Sequence, residues 1–398
     1  MNTKLLHTPE GVRDIYGKEL AKKEAIELLL QNELSLYGYQ KIQTPTFEYF
    51  DVFSNEIGTT PSKELYKFFD REGETLVLRP DFTPSVARFA ARYFRDAREP
   101  LRLSYMGNAF QNGLHLRGRL KETTQIGAEF LGDASARADA EIIALLISCL
   151  LQCGLRDFQV TLGNADYFRG LCEQAGLAEE TEETLRTLVK AKNYFAAKEL
   201  LEGCGTSGEN AEALLKCADM FGGLQTIEEA RALVKNDKSL RALDRLKEVY
   251  ELLRLYGAEQ YVGFDFSLLS KYHYYTGIIF KAYTYGIGDA VVTGGRYDGL
   301  LSLFYAAEER GRNDGERKQG RAPAGKESAL QNRFAAVGFM IVVDDLLNAL
   351  TRQGIRIDTD DAYTVLEYTD DTYEEKLKEA LSLRAQGIRV AFNRKEEV

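Results

Sequence analysis

Residues 101–132 read LRLSYMGNAFQNGLHLRGRLKETTQIGAEFLG and contain two extended segments, at 101–110 and 125–131. Apolar residues at helical spacing precede them at 84–93 and follow them at 137–153. Strands that follow one another along the chain, with helices between groups of strands, are typical of α+β proteins. The pattern therefore predicts an α+β fold built on an antiparallel sheet.

The same signals predict the other elements of this sheet and its helices. A helix is expected at 18–36, a strand followed by a helix at 334–350, and extended segments at 40–44, 65–70, 75–79, 159–163, 264–269 and 277–285. The segment GGRYDGL, residues 294–300, is expected to form a Gly-rich turn before another helix.

The chain divides into regions of different character. Residues 1–165 and 256–350 carry the strand signals of one core, whereas 166–255 is charged and helical, which predicts a helical insertion. Residues 305–332 are polar, Gly-rich and poor in core-forming side chains, so we expect a flexible loop there. Residues 361–398 predict a short strand–helix–strand fragment.

Composition excludes several classes of function. The chain has 398 residues, 44% hydrophobic residues and a formal net charge of −10, which disfavours nucleic acid as a partner. The five cysteines form no paired C-x-x-C cluster and the three histidines are scattered, so we expect buried reduced thiols and no metal site. Neither a signal-peptide core nor a long apolar run is found, which predicts a cytoplasmic protein that does not enter a membrane.

Six longer strings, in order along the chain, resemble class II histidyl-tRNA synthetases. They are TPEGVRDIY (8–16), LRPDFTPSVAR (78–88), GRLKETTQIGAEFLG (118–132), LLSKYHYYTGIIF (268–280), GGRYDGLL (294–301) and AVGFMIVVDDLL (336–347). The resemblance implies a class II aminoacyl-tRNA synthetase-like core with its antiparallel sheet flanked by helices. It also implies a dimer interface around residues 39–53, and it makes 361–398 similar to a truncated anticodon-binding domain.

The residues that would hold ATP depart from the family pattern. Where the resemblance implies an arginine and a glutamate for the α-phosphate and the adenine, this chain has Gln111 and Gly113. Asp345 and Ser270 stand where the family has two further arginines. Each donor aimed at phosphoryl charge contributes about 10²- to 10³-fold in rate, so the losses imply that amino-acid adenylation is absent. We therefore expect no catalytic residues, no cofactor and no enzyme activity in this chain.

The positions that resemble the family's histidine ligands are largely present. They are Asp81 (where a glutamate is usual), Thr83, Gln125, Glu129, Tyr274, Tyr275, Gly295 and Tyr297. Carboxylates suit an α-ammonium group and tyrosine hydroxyls can bond imidazole nitrogens, so a histidine-like effector is implied. The alternative is that these residues are retained from an ancestral protein and have their hydrogen bonds satisfied within the sheet.

A synthetase-like core with a lost ATP site and a retained amino-acid pocket resembles the regulatory subunits of ATP phosphoribosyltransferase. That resemblance implies a self-dimer and a hetero-octamer with the short-form catalytic subunit, in which histidine controls the first step of histidine biosynthesis. Two alternatives stay open. One is an active histidyl-tRNA synthetase, which would catalyse pyrophosphate exchange. The other is a sensor of uncharged tRNA or of an amino acid, and a tRNA sensor would need a local basic surface.

Overall fold

The computed structural model describes residues 3–54, 60–113, 120–269, 275–313, 334–359 and 362–395. The chain separates into two units, which are described one at a time. The larger comprises Met1–Arg13 and Glu27–Arg356, and the smaller comprises Asp14–Ile26 and Ile357–Val398. Predicted site residues that fall between these ranges, including Ser270 and Tyr274, lie outside the described residues.

Helices and strands alternate in groups along the described chain. The α-helices are α1 (Gly17–Leu36), α2 (Thr83–Tyr93), α3 (Ala136–Gln152), α4 (Ala165–Gln174), α5 (Glu179–Lys190), α6 (Tyr194–Gly203), α7 (Glu209–Lys216), α8 (Gln225–Arg231), α9 (Asp237–Leu255), α10 (Asp298–Asn313), α11 (Val343–Arg352) and α12 (Tyr373–Ala385). The strands are β1 (Gln40–Lys41), β2 (Phe47–Tyr49), β3 (Lys67–Phe69), β4 (Thr75–Leu78), β5 (Leu101–Phe110), β6 (Glu122–Leu131), β7 (Phe158–Asn164), β8 (Phe221–Gly222), β9 (Val262–Asp265), β10 (Ile278–Thr284), β11 (Val292–Arg296), β12 (Ala336–Val342), β13 (Thr364–Tyr368) and β14 (Val390–Arg394).

The larger unit is built on a nine-stranded sheet with the order β1-β5-β6-β12-β11-β10-β7-β9-β8. Each neighbouring pair in the run β5-β6-β12-β11-β10-β7 is antiparallel, which confirms the predicted α+β class. The outer pairings β1–β5 and β7–β9 are parallel, so the sheet as a whole is mixed. A second sheet of the larger unit has the order β2-β4-β3.

One face of the central sheet is covered by α2 and α10. Val86 and Ala90 of α2 and Leu300 and Leu301 of α10 are buried in one cluster with Leu103 of β5. Burial of such aliphatic side chains contributes about 1.5–3 kcal/mol each, which holds both helices against this face. The two helices therefore flank the face on which the polar pocket described below is built.

Three predictions of secondary structure are wrong in part. The strand expected at 264–269 ends at Asp265, because its carboxylate accepts hydrogen bonds from the backbone N–H and hydroxyl of Ser267 and so starts a turn. Residues 305–313 are helical rather than part of a loop, since α10 continues through the helix-forming sequence AAEER. The helical region expected to lack strands contains β8, which pairs with β9.

The segment GGRYDGL is the fourth correction, because Gly294, Gly295 and Arg296 belong to strand β11 and not to a turn. A Cβ atom on Gly294 would lie 2.3 Å from the ring of Phe280 and 2.5 Å from the carbonyl oxygen of Gly338. Close packing between strands therefore explains this glycine, where the sequence suggested conformational freedom. Among the cysteines, Cys204 is exposed, whereas the prediction had all five buried.

The smaller unit contains β13 and β14 as a parallel pair, with α12 connecting them. Tyr368 and Phe392 stack with their ring centroids 4.4 Å apart, and Tyr373 packs edge-on against Tyr368. The strand–helix–strand order agrees with the elements predicted for 361–398. The domain limits drawn from the sequence stay predictions.

Candidate functional site

The site is built on one row of residues that crosses three neighbouring strands. Glu129 of β6 is paired with Gly338 of β12, and Gly338 is paired with Gly295 of β11. A Cβ atom on Gly338 would lie 1.6 Å from Oε2 of Glu129, and one on Gly295 would lie 2.6 Å from the ring of Tyr275. The two glycines therefore make room for a carboxyl group and an aromatic ring on the same face of the sheet.

Glu129 is the centre of this arrangement. It is 1% exposed, and its carboxyl oxygens accept hydrogen bonds from the hydroxyls of Tyr297 at 2.6 Å and Thr83 at 3.2 Å. The pKa of Glu129 is raised from 4.5 to about 8, chiefly by burial and also by nearby Asp81, while hydrogen bonds from Tyr297, Thr83 and Tyr105 oppose the rise. At neutral pH the buried carboxyl group therefore holds its proton when no cation is beside it.

This raised pKa predicts a pH-dependent stability that Glu129→Gln removes. Since the folded chain holds the proton more tightly than the unfolded chain, the contribution of Glu129 is fully present below about pH 4.5 and is lost as the pH rises through about 8. The loss over this window is on the order of 5 kcal/mol. Urea unfolding at about pH 5 and about pH 8.5 should show Glu129→Gln gaining stability over the natural chain at the higher pH. An equal difference at both pH values would contradict the assignment.

Asp81 and Thr83 reach the site from the start of α2. A carboxyl oxygen of Asp81 accepts a hydrogen bond from the backbone N–H of Thr83 at 3.0 Å, which satisfies one of the free N–H groups at the start of a helix. The Thr83 hydroxyl is then aimed at Glu129. Helix capping thus fixes the second carboxyl group of the pocket beside the first.

These side chains line a cavity of about 60 Å³. A cavity needs about 10–15 Å³ to hold one water, so this space is large enough for small polar groups. The lining comprises Asp81, Thr83, Tyr105, Gln111, Gln125, Glu129, Tyr275, Thr293, Gly294, Gly295, Tyr297, Gly338, Phe339 and Met340. Seven of the eight residues predicted from the resemblance are therefore brought together, and Tyr274 lies outside the described residues.

One buried polar atom of the cavity, Oε1 of Gln125, has no hydrogen-bond partner among the described residues, and Gln125 is 3% exposed. Leaving such a group unpaired costs about 1–3 kcal/mol, so a polar ligand or water at this place would offset a real cost. The buried hydroxyl of Tyr105 lies beside Glu129 and Thr83. Tyr105 was missed by the sequence analysis, although the register that pairs it with Gly127 puts it on the face of Glu129.

The positions at which the family's ATP-binding residues are replaced are only partly described. The side-chain amide of Gln111 donates to the carbonyl oxygen of Pro80 at 3.3 Å and lines the cavity, and Gly113 is buried. Asp345 lies in the first turn of α11 beside Asp344, whose carboxylate accepts from the backbone N–H of Thr124 at 2.7 Å. Two adjacent acids at this turn are unfavourable for a phosphate chain. Ser270 lies outside the described residues.

Behind the sheet, a buried ion-pair network supports strand β11. Asp139 of α3 is 0% exposed and accepts from Arg296 at 2.6 Å and from Arg245 of α9 at 2.7 Å. Arg296 also contacts Asp298 at 3.3 Å. Because Arg296 stands between the pocket residues Gly295 and Tyr297, this network sets the position of the strand that carries them.

Within the described ranges no cluster of histidine, cysteine and acidic side chains could hold a metal ion. None of the helices in the described part of the chain is long and apolar enough to span a membrane.

The central antiparallel strands and the flanking α2 and α10 define a class II synthetase-like fold, and this fold carries a pocket lined by acids and tyrosines. The family model described as histidyl-tRNA synthetase matches residues 11–311. The chain resembles a histidyl-tRNA synthetase structure from Nostoc sp. PCC 7120 with a TM-score of 0.75 at 19% identity, covering 99% of this chain and 87% of that one. At that identity the likeness shows the fold.

More specific relatives are ATP phosphoribosyltransferase regulatory subunits. Those of Ruminiclostridium cellulolyticum and Clostridium kluyveri are each 35% identical, over 97% and 96% of this chain and 86% and 92% of theirs. A structure described as an ATP phosphoribosyltransferase regulatory subunit/histidyl-tRNA synthetase from Bacillus halodurans C has a TM-score of 0.82 at 31% identity, covering 99% of this chain and 94% of that one. The chain belongs to the ATP phosphoribosyltransferase regulatory subunit family, within the histidyl-tRNA synthetase family.

Proposed function

We propose that this chain is the non-catalytic regulatory subunit of ATP phosphoribosyltransferase, needed for the first step of L-histidine biosynthesis and for its feedback inhibition by histidine. The observation that carries the proposal is the contrast between the two halves of the ancestral site. The amino-acid pocket keeps Glu129 as the acceptor of hydrogen bonds from Thr83 and Tyr297, whereas Gln111 and Asp345 stand where ATP-binding residues would be. Catalysis then resides on the partner chain.

The pocket supplies the chemistry that an effector site needs. A bound ammonium or imidazole nitrogen can pair with Asp81 or Glu129, and the unpartnered amide oxygen of Gln125 can accept a further hydrogen bond. A ligand that binds one state of an assembly more tightly shifts it by its difference in affinity, with coupling of about 1–3 kcal/mol in typical cases. Histidine bound here would act on the catalytic partner in this way.

The proposed assembly contains a self-dimer of this chain and the short-form catalytic subunit, as a hetero-octamer. The region 39–53 is the proposed place of the self-contact, and Phe47 and Tyr49 are 51% and 59% exposed there. Covering such aromatic side chains provides much of the energy of subunit interfaces. With a net charge of −10, nucleic acid is not among the proposed partners.

Mixing the chain with a short-form catalytic subunit from the same organism is expected to give co-elution and histidine-sensitive synthesis from ATP and phosphoribosyl pyrophosphate. Glu129→Gln should weaken inhibition by histidine about tenfold or more without preventing co-elution, since the buried acid is lost while the surface is unchanged. The matched control is Glu251→Gln, which makes the same substitution in an exposed pair with Arg254 on α9.

Two outcomes would contradict the proposal in different ways. Absence of both complex and activation would remove the regulatory role, and tRNA binding would be measured next. Activation with inhibition unchanged in Glu129→Gln would place the histidine site elsewhere in the assembly.

A further inference from the structure

We propose that Lys281 binds the α-carboxylate of the effector and so makes the pocket prefer an amino acid to an analogue without the carboxylate. The inference rests on the proposed function, because it concerns how the same pocket recognises a histidine-like ligand. Lys281 is not among the ligands that the family resemblance implies, so the structure alone carries the assignment.

Lys281 belongs to a row of residues that crosses the sheet through the pocket. Tyr105 of β5 is paired with Gly127 of β6, and Gly127 is paired with Met340 of β12. Met340 is paired with Thr293 of β11, and Thr293 is paired with Lys281 of β10. Tyr105, Met340 and Thr293 line the cavity. Directly paired residues project from the same face of a sheet, so Lys281 is the next member of this row on the pocket face.

The position of Lys281 lets its ammonium group reach the open side of the cavity. Thr293 lines the cavity and Lys281 does not, so Lys281 stands one strand beyond the lining. The Cβ atoms of directly paired residues are about 4.5–5.5 Å apart. A lysine carries its ammonium on a flexible four-carbon stem. A ligand group that lies over Thr293 is therefore within reach of Lys281 without a change in the backbone.

The charge of Lys281 is only partly compensated by the acids near it. Lys281 is half-buried, and burial lowers its pKa more than Asp265 and Asp289 raise it. The carboxylate of Asp265 also accepts hydrogen bonds from the backbone N–H of Ser267 at 2.8 Å and from its hydroxyl at 2.6 Å. A ligand carboxylate beside this ammonium would favour its charged form and form a charge-assisted hydrogen bond.

The other side of the cavity offers acceptors for the N–H groups of the same ligand. Oε1 of Gln125 is buried and has no hydrogen-bond partner among the described residues, and an amide oxygen can only accept. Gln125 and Glu129 line the cavity from β6, which is three strands from β10 in the sheet, about 14 Å at the usual spacing. Side chains that lean inward from β6 and β10 leave a span that one amino acid can bridge. The nitrogen groups of the ligand then face β6 and its carboxylate faces Lys281.

The experiment is isothermal titration calorimetry of the full chain with L-histidine and with L-histidinol, which has a hydroxymethyl group in place of the carboxylate. We expect the natural chain to bind histidine about tenfold or more tightly than histidinol. Lys281→Met should weaken histidine about tenfold or more and leave histidinol within about twofold, because only histidine has the carboxylate. Lys281→Arg keeps the charge and should retain most of the preference.

Two controls accompany this measurement. Lys198→Met is the matched substitution, since Lys198 lies on α6 in an exposed pair with Glu202 at 3.9 Å, and it should leave both Kd values unchanged. Binding of histidinol by Lys281→Met reports whether this variant keeps a folded pocket.

The outcomes separate this inference from the proposed function. Equal affinity of the natural chain for the two ligands overturns the inference, and so does a preference for histidine that persists in Lys281→Met. Both results leave the histidine pocket in place. An equal loss of both ligands in Lys281→Met also overturns it, because Lys281 would then support the pocket and not contact the carboxylate. If neither ligand binds the natural chain, the proposed histidine site fails and the role of Lys281 fails with it.

Discussion

Replacing Asp139 by alanine is expected to lower the free energy of unfolding by about 3–5 kcal/mol, because the change removes the buried acid that pairs with both Arg296 and Arg245 and leaves Arg296 only its longer contact with Asp298. Asp139 is 0% exposed, and it accepts hydrogen bonds from the guanidinium groups of both Arg296 and Arg245. Arg296 is 5% exposed, so water cannot replace the lost carboxylate at low cost. Since the chain contains no tryptophan, urea unfolding is followed by circular dichroism.

Asp244→Ala is the matched control for this change. Asp244 pairs with Arg231 near the surface, and its side chain is 64% exposed. Such exposed pairs contribute about 0–1 kcal/mol, so the control should unfold close to the natural chain. Similar midpoints for Asp139→Ala and Asp244→Ala would show that the buried network does not support the sheet.

Gly338→Ala is expected to remove binding of the proposed histidine effector, with a loss of affinity of about a hundredfold or more. The new Cβ would fall 1.6 Å from Oε2 of Glu129 and 2.6 Å from the carbonyl oxygen of Ala128, so the carboxyl group must leave its place. Its hydrogen bonds with Tyr297 and Thr83 would then be lost. Overpacking of this kind also costs about 1–3 kcal/mol of stability. Calorimetry with histidine and urea unfolding measure the two effects.

Gly203→Ala is the control, because it replaces a glycine at a position where the new Cβ atom contacts no other atom. Gly203 closes α6, and a Cβ there has no atom within 4 Å. The helix propensity of alanine should leave its stability equal to or about 0.5–1 kcal/mol above that of the natural chain. Unchanged histidine binding by Gly338→Ala would contradict the central role of Glu129 in the pocket.

Much of the fold could be predicted where a local pattern had one interpretation. The extended segment 101–110 has the bounds of β5, the helix predicted at 84–93 begins one residue later than α2, and the helix predicted at 137–153 differs from α3 by one residue at each end. Apolar periodicity is a local property, so it predicts these elements without knowledge of their neighbours. The same reasoning failed at Gly294 and Gly295, because a glycine that makes room for another strand looks like a glycine in a turn.

The amino-acid sequence by itself determined the class of fold, the family resemblance and seven of the residues that line the described pocket, since these depend on residue types in order along the chain. Only the tertiary structure decided that Gly338 makes room for the Glu129 carboxyl group, that Tyr105 belongs to the pocket, and that Arg296 points to Asp139 behind the sheet. The pairing register of β5, β6, β12 and β11 sets these relations. Adjacent residues of a strand face opposite sides, and partners far apart in sequence meet only when that register is formed.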